Sequence, residues 1–334
     1  MSHLDSVPAM GALGLLSHPV WFLCSLALFV VLWARRWRRW SPEGCPVDLS
    51  GRTAIVTGAN CGIGKCVALD LARRNARTIL ACRSEEKGRA ALEEIRRATG
   101  NPHVQLRILD TSSMASVRAF ARRFQREERQ LHILVNNAGA SGLPHGVTSE
   151  GLERLFATNV LGPFLLTNLL LGTMTASAPA RIVNVSSFLH YYGEVNLRFL
   201  TGEERPKSRA EAYRSSKLMN VVFSAQLARR LRGTGVSVNA LEPGIVWTEI
   251  MRQHSWWARL LFNICGIFLQ SAKDGATSTL YCAVAKEVEG ISGKFFDRDC
   301  SLKAPLALAE DVEVGRKLWD AMAELTGLEM SARE

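Results

Sequence analysis

"TAIVTGANCGIGKCVALDLARR", residues 53–74, is the stretch that decides the fold. It opens on a short apolar, β-branched run that ends at glycine and reads as a buried strand. "KCVALDLARR" then repeats its apolar residues at helical spacing. Between the two, Thr57, Gly58, Ala59, Asn60, Cys61, Gly62, Ile63 and Gly64 spell TGxxxGxG. Glycines at a strand-to-helix turn let the backbone approach a pyrophosphate, which rests at the positive end of the helix. A glycine-rich turn is weak testimony alone, since many tight turns use glycine. Its place directly after the first strand is what gives it weight.

Five further runs continue the pattern: "RTILAC" (77–82), "VQLRILD" (104–110), "HILVNNAG" (132–139), "RIVNVSS" (181–187) and "VSVNALEPG" (236–244). All but the last are followed by a stretch that reads as helix. Near-continuous apolar strands alternating with helices predict an α/β fold, a Rossmann-type doubly wound parallel sheet covered on both faces. There is no internal repeat and no low-complexity linker, and the charged stretch "TGEERPKSRA" (201–210) reads as a loop. The second strand ends in Cys82-Arg83, where an NAD site expects an acidic residue on the ribose 2′-hydroxyl. A guanidinium there pairs with a 2′-phosphate instead, so the expected cofactor is NADP(H), with Lys65 and Lys87 adding charge. The competing reading is that Arg83 is one of 41 basic residues on a solvated surface.

The chain's 334 residues and 47% hydrophobic content support one large α/β domain or two small ones. Eight cysteines in a chain of this length are not a disulfide framework, and scattered thiols point to a reducing compartment. No Cys-x-x-Cys occurs and no two histidines lie at ligand spacing, so no metal site is expected. The formal charge of +10 fits nucleic acid, an anionic membrane or an anionic cofactor, and its distribution decides between them. Residues 9–34 run "AMGALGLLSHPVWFLCSLALFVVLWA" without a formal charge, and "RRWRRW" follows at once. That length suits a membrane span, and the basic cluster is on the wrong side for a cleaved signal peptide. His18 and Pro19 blur its start, and the tight apolar part begins at Val20. The expectation is an N-terminal signal-anchor helix, with Arg35, Arg36, Arg38 and Arg39 and everything after them in the cytosol. Trp33, Trp37 and Trp40 suit an interfacial belt. Because the densest basic cluster abuts this segment, a nucleic-acid partner is not expected.

"EAYRSSKLMN" (211–220) sets Tyr213 and Lys217 four apart in a helical pattern, where side chains share a face. An ammonium beside a phenol favours the phenolate, lowers its pKa and makes it usable as an acid near neutral pH. A lone Tyr-x-x-x-Lys also arises by accident on solvated helices, so the rest of the chain must support the catalytic reading.

Taken together, TGxxxGxG (57–64), Asn136-Asn137-Ala138-Gly139, Ser187, Tyr213-x-x-x-Lys217 and Pro243-Gly244 resemble the short-chain dehydrogenase/reductases in order and spacing over about residues 50–300. "ACRS", "LHILVNNAG", "ARIVNVSS", "GISGKFFD" (290–297) and the apolar amino terminus narrow the resemblance to the microsomal NADP-dependent retinol dehydrogenases. The resemblance implies that Tyr213 is the general acid/base. Lys217 would lower its pKa and hold the nicotinamide ribose, and Ser187 rather than Ser186 would polarise the carbonyl. Asn159, in "TNVLGPF", would complete a proton relay through water. It further implies cofactor contacts from Gly58, Asn60, Cys61, Gly62, Ile63, Gly64, Asp110 at the adenine and Asn137, with Ile245, Val246 and Thr248 bordering the nicotinamide. Two departures stand out. Cys61 replaces the usual Ser or Thr of the glycine turn, and a thiol is a poorer hydrogen-bond partner. Glu242 precedes Pro243 where relatives usually have His.

Three parts are expected: a signal-anchor segment with basic flank (1–40), the Rossmann domain (50–300) and a C-terminal helical extension (301–334). The apolar stretch "WWARLLFNICGIFL" (256–269) reads either as a core helix or as a cover for a lipid-soluble substrate. The sequon Asn184-Val185-Ser186 falls in a buried strand and is expected to be unused. The expected activity is reduction of a lipophilic carbonyl compound, or oxidation of its alcohol, at the endoplasmic reticulum membrane. Retinoids lead, steroids or lipid aldehydes are the alternative, and a homodimer stays open. A catalytically silent, membrane-tethered binding protein is the reading of another class, and the intact Asn159, Ser187, Tyr213 and Lys217 argue against it.

Overall fold

The structure, a computed structural model, describes residues 21, 23–27, 30, 40–246 and 270–328. Thr248, Arg35, Arg36, Arg38, Arg39, Trp33, Trp37 and the stretch 256–269 lie outside the described residues. Met1–Trp40 and Ser41–Glu334 form separate units. In the first, residues 21, 23–27 and 30 are helical, and Trp21, Leu23, Leu26 and Val30 are exposed.

The second unit is built on eight strands: β1 (Thr53–Thr57), β2 (Arg77–Cys82), β3 (Val104–Ile108), β4 (Ile133–Asn136), β5 (Ala180–Val185), β6 (Val236–Leu241), β7 (Phe295–Phe296) and β8 (Leu302–Lys303). Their order is β3-β2-β1-β4-β5-β6-β7-β8, all parallel except the antiparallel last pair. The chain therefore winds outward from β1 in both directions, which is the doubly wound parallel sheet expected from the alternating runs. Its reversal of direction between β1 and β4 opens a crevice at the carboxyl ends of the strands.

Among the described residues of this unit the α-helices are α1 (Gly62–Arg73), α2 (Glu85–Thr99), α3 (Met114–Glu127), α4 (Arg154–Ala176, interrupted by a π turn at Ala157–Leu161), α5 (Arg209–Arg230), α6 (Ala272–Val284) and α7 (Val312–Thr326). Ile79, Ile55, Leu134, Ile182 and Val238 stand in register across five strands. This buried row joins one core with Phe120 and Phe124 of α3, Phe164 of α4, Phe223 of α5 and Trp319 of α7. Phe164 packs edge-on to both Phe223 (5.4 Å) and Trp319 (5.0 Å), an arrangement that fixes α7 over α4 and α5. Among the described residues α4 is the one helix long and apolar enough to cross a membrane, and its apolar stretch is mostly buried, as befits a core helix.

Local chemistry sets the helix starts. Ser84 caps α2, Ser208 caps α5, and Ser271 with Asp274 forms a capping box on α6. Helix α1 differs, because Cys61 sits at its N-cap and makes no side-chain capping bond. Four strands stop short of their apolar runs: β3 at Ile108, β4 at Asn136, β5 at Val185 and β6 at Leu241. The surplus residues are the loops that build the site.

Candidate active site

The carboxyl ends of the strands open on a cleft of about 710 Å³. At its floor, Thr57 closes β1 and its Oγ1 accepts from the backbone N–H of Asn137 (3.0 Å) and of Ala138 (2.9 Å). The same hydroxyl donates to the Val135 carbonyl at 3.3 Å, and the Asn137 amide donates to the Thr57 carbonyl at 2.9 Å. The ends of β1 and β4 are thereby tied together. The glycine turn threads over this tie. A Cβ on Gly64 would stand 2.4 Å from Asn137 Nδ2 and 2.5 Å from the Gly58 carbonyl oxygen, so only glycine fits. Gly58, at φ +67°, would need a Cβ 3.0 Å from Ala138 Cα.

Gly58, Asn60, Cys61, Gly62 and Ile63 line the cleft, and Gly64 supports them from behind. The first turn of α1 holds no acidic residue and no side-chain cap, which leaves its N–H groups to an anion. Arg83 lines the cleft beyond β2, is exposed, and forms no ion pair with a described residue. Lys87 lines it too. Lys65 is instead taken up by Glu94 at 2.9 Å, and the charge expected of it does not reach the cleft. Asp110 borders the same end, its Oδ1 accepting from the N–H (2.9 Å) and hydroxyl (2.7 Å) of Ser112.

The other end is built by α5. Tyr213 and Lys217 lie one turn apart and both face the cleft. Ser187 lines the cleft beside Tyr213, near enough to draw the phenol's pKa down. Ser187 opens a 3-10 turn, Phe188–Tyr192, and its Oγ also accepts from the Leu189 N–H at 3.2 Å. Lys217 is buried, and its Nζ donates to the Val185 carbonyl at 2.9 Å. Asn159 lies in the π turn of α4, a deformation that often marks a functional site. Its carboxamide accepts from the Ala140 N–H (2.8 Å) and donates to the Ala140 carbonyl (2.9 Å) and the Ser216 hydroxyl (3.0 Å).

The electrostatics differ from the simple expectation. Burial pushes the Tyr213 phenol up to about 12, and the neighbouring Ser187 only partly opposes it. Burial also pushes the Lys217 ammonium down to about 8. Desolvation of both partners thus outweighs their proximity, and the ammonium is directed at Val185 rather than at the phenol. The result is a phenol that keeps its proton at neutral pH.

The sequence reading missed His190 and left the contacts of several named neighbours undefined. Ser186 donates to the Lys217 carbonyl at 2.8 Å, so the serine pair divides its work: one holds the backbone of α5, the other meets Tyr213. His190 takes the Ser187 carbonyl on Nδ1 (2.8 Å) and the Leu306 N–H on Nε2 (3.4 Å), which clips the chain after β8 beneath the serine turn. Glu242 turns away from the cleft towards Asp297 and Lys303 (3.5 Å). Burial first, then the neighbouring Asp297 carboxylate, pushes its carboxyl up to about 7. Val246 lines the cleft with Ile245. Asn184 is buried between Asn136 and the Ser224 hydroxyl at 2.8 Å each, so the sequon asparagine is inaccessible in the folded chain. Among the described residues no group of three or more His, Cys, Asp or Glu side chains could hold a metal.

Comparison with known proteins agrees with this geometry. The family profile described as short chain dehydrogenase matches residues 52–258, well over half the chain. The chain belongs to the short-chain dehydrogenase family. This short-chain dehydrogenase is 46% identical to human retinol dehydrogenase 13 over 87% of its length and 90% of the relative's. It is 45% identical to retinol dehydrogenase 12 of Mus musculus, over 85% and 89% of the two chains. Among solved structures it resembles an uncharacterised protein from Mycobacterium paratuberculosis (TM-score 0.70, 32% identity, 86% and 98% coverage). Another is a Beutenbergia cavernae protein described as an NAD(P) dependent gluconate 5-dehydrogenase, with bound NADP (TM-score 0.61, 25% identity, 76% and 97% coverage). The short-chain dehydrogenase is therefore an oxidoreductase that resembles the retinol dehydrogenases, on a Rossmann-like sheet.

Proposed function

We propose that this oxidoreductase is membrane-anchored and uses NADP(H) to interconvert a lipophilic alcohol and its carbonyl compound, with retinol and retinal first among them. One observation carries the reading: Ser187, Tyr213 and Lys217 meet at one end of a cleft whose other end offers a glycine turn, a bare helix N-terminus and Arg83. These residues fit a dinucleotide. Gly58 and Gly64 leave a cradle that a Cβ would fill, and the α1 N–H groups, with Asn60, Cys61, Gly62 and Ile63, would receive its phosphates. Arg83 and Lys87 would hold a 2′-phosphate, Asp110 and Asn137 would border the adenine and the groove, and Val246 and Thr248 would flank the nicotinamide. The cofactor supplies or accepts the hydride.

What the chain itself does follows from its bonds. Ser187 would hold the substrate oxygen beside the Tyr213 hydroxyl, and their place together in the cleft supports that role. A phenol raised to about 12 stays protonated at neutral pH, so Tyr213 stands ready to give its proton to a carbonyl oxygen. That charge state favours reduction. Lys217 and Asn159 would form the route by which the proton is replaced through water, the one from its buried place beneath the cleft and the other from the π turn. The exposed apolar helix residues before Trp40, and the arginines that follow them, support an anchor in the endoplasmic reticulum with the larger unit in the cytosol. The names of the retinol dehydrogenase relatives support a retinoid. The test is NADPH oxidation by full-length protein in detergent with all-trans-retinal, against a steroid ketone and a medium-chain aldehyde. Consumption that depends on retinal supports the reading, and silence with all three carbonyls rejects it.

A further inference from the structure

The substrate end of the cleft carries charge that the hydride chemistry does not use. Arg214 follows Tyr213 in α5, lines the cleft and is half-buried. Its Nε is buried without a hydrogen-bond partner, and no described carboxylate pairs with its guanidinium. The guanidinium carbon lies instead 5.8 Å from the centroid of the Tyr192 ring. Arg154 lines the same cleft. Its Nη2 lies 3.1 Å from where a Cβ on Gly146 would stand, and it too forms no ion pair with a described residue. Asp110, the one carboxylate among the described lining residues, follows β3 at the cofactor end and is bonded to Ser112. Leu143, Phe188, Leu189 and Ala210 add apolar surface to the lining of the same cleft.

A half-buried guanidinium with no counter-ion is open to an oxyanion, which gives it charge-assisted bonds that water alone does not match. We propose that the site takes, besides uncharged carbonyl compounds such as retinal, an amphiphile: an apolar chain with the reacting carbonyl or alcohol near one end and an oxyanion, a carboxylate or phosphate ester, towards the other. Arg214, aided by Arg154, receives that oxyanion. The inference rests on the carbonyl chemistry proposed above and adds a substrate class to the retinoid.

Steady-state kinetics with NADPH on full-length protein compare ω-oxo acids of six and twelve carbons with hexanal and dodecanal. The wild type is expected to give a higher kcat/KM for the oxo acid at one or both lengths. Arg214→Met keeps the apolar stem and removes the charge. It should shrink the ratio of oxo acid to aldehyde by about ten- to a hundredfold, the worth of a hydrogen bond to a charged group. Arg214→Lys should recover part of the ratio, because the charge returns without the planar fork. Equal kcat/KM for acid and aldehyde in the wild type, or an equal loss for both in Arg214→Met, overturns the proposal. Calorimetric binding of octanoate, octyl phosphate and octanol supplies a readout without turnover and separates carboxylate from phosphate. Tighter binding of either anion than of octanol, lost in Arg214→Met, supports the oxyanion site even if no aldehyde is reduced, in which case only the carbonyl chemistry fails. Equal binding of all three sinks it.

Discussion

Thr57→Val isolates the tie on which the cofactor turn is built. Valine matches threonine in shape, so the change removes a hydroxyl and little else. That hydroxyl is buried and makes three bonds: from Asn137 N (3.0 Å), from Ala138 N (2.9 Å) and to the Val135 carbonyl (3.3 Å). A net hydrogen bond contributes about 0.5–1.5 kcal/mol, and a buried donor left without a partner costs about 1–3 kcal/mol. Two backbone donors lose their acceptor here, so the expected destabilisation is roughly 2–4 kcal/mol. At roughly 2–4 °C per kcal/mol for a domain of this class, Tm falls by about 5–15 °C. Asn137 is also the group against which Gly64 packs, so a loosened Asn137 lets the glycine turn shift and weakens NADPH. Scanning fluorimetry of full-length protein gives Tm, and quenching of protein fluorescence gives the NADPH Kd. Thr57→Ser, which keeps the hydroxyl, should fall much less on both. A valine variant as stable as the wild type with unchanged NADPH affinity, or a serine variant as damaged as the valine one, would refute the reasoning.

Arg83→Asp should replace attraction to a 2′-phosphate by repulsion, so the Kd for NADPH rises while that for NADH rises less or falls; unchanged relative affinities remove Arg83 from the site. Lys217→Met should abolish carbonyl reduction yet stabilise the fold. Burial lowers the ammonium from 10.5 to about 8, which corresponds to a penalty on the order of 3 kcal/mol, partly offset by its bond to Val185. The folded-state value lies below the unfolded one, so the penalty is full below pH 8 and disappears as pH rises towards 10.5. The stability gain of Lys217→Met should shrink over that same window; a gain that is constant with pH, or a loss, counts against a buried ammonium. A chain beginning at Ser41 should leave the integral membrane fraction after carbonate extraction, and continued resistance to extraction would place the anchor elsewhere.

The central sheet was legible because its signals are local. Residues 53–57 and 77–82 are apolar and β-branched, and glycines punctuate the first turn. Strand ends were not legible. "HILVNNAG" does not mark its own end, because the chain leaves the sheet at Asn136 where Asn137 and Ala138 bond to Thr57, about 80 residues earlier. Strands β7 and β8, two residues each, exist through pairing with β6 and with each other, and no periodicity can announce them. The spacing of Tyr213 and Lys217 brought out the pair but gave the wrong sign for the phenol in this arrangement. The sign depends on how far the surrounding fold desolvates both groups and on Val185 claiming the ammonium. The roles of His190 and Ser186 depend in the same way on partners that only the folded chain supplies.

The claim that Tyr213 is the proton donor is tested most directly by Tyr213→Phe in full-length protein, with NADPH oxidation followed against retinal and NADPH affinity measured alongside. The phenylalanine keeps the ring and removes the proton, so turnover should fall by about two orders of magnitude or more while the NADPH Kd stays close to that of the wild type. Turnover near the wild-type rate would contradict the assignment.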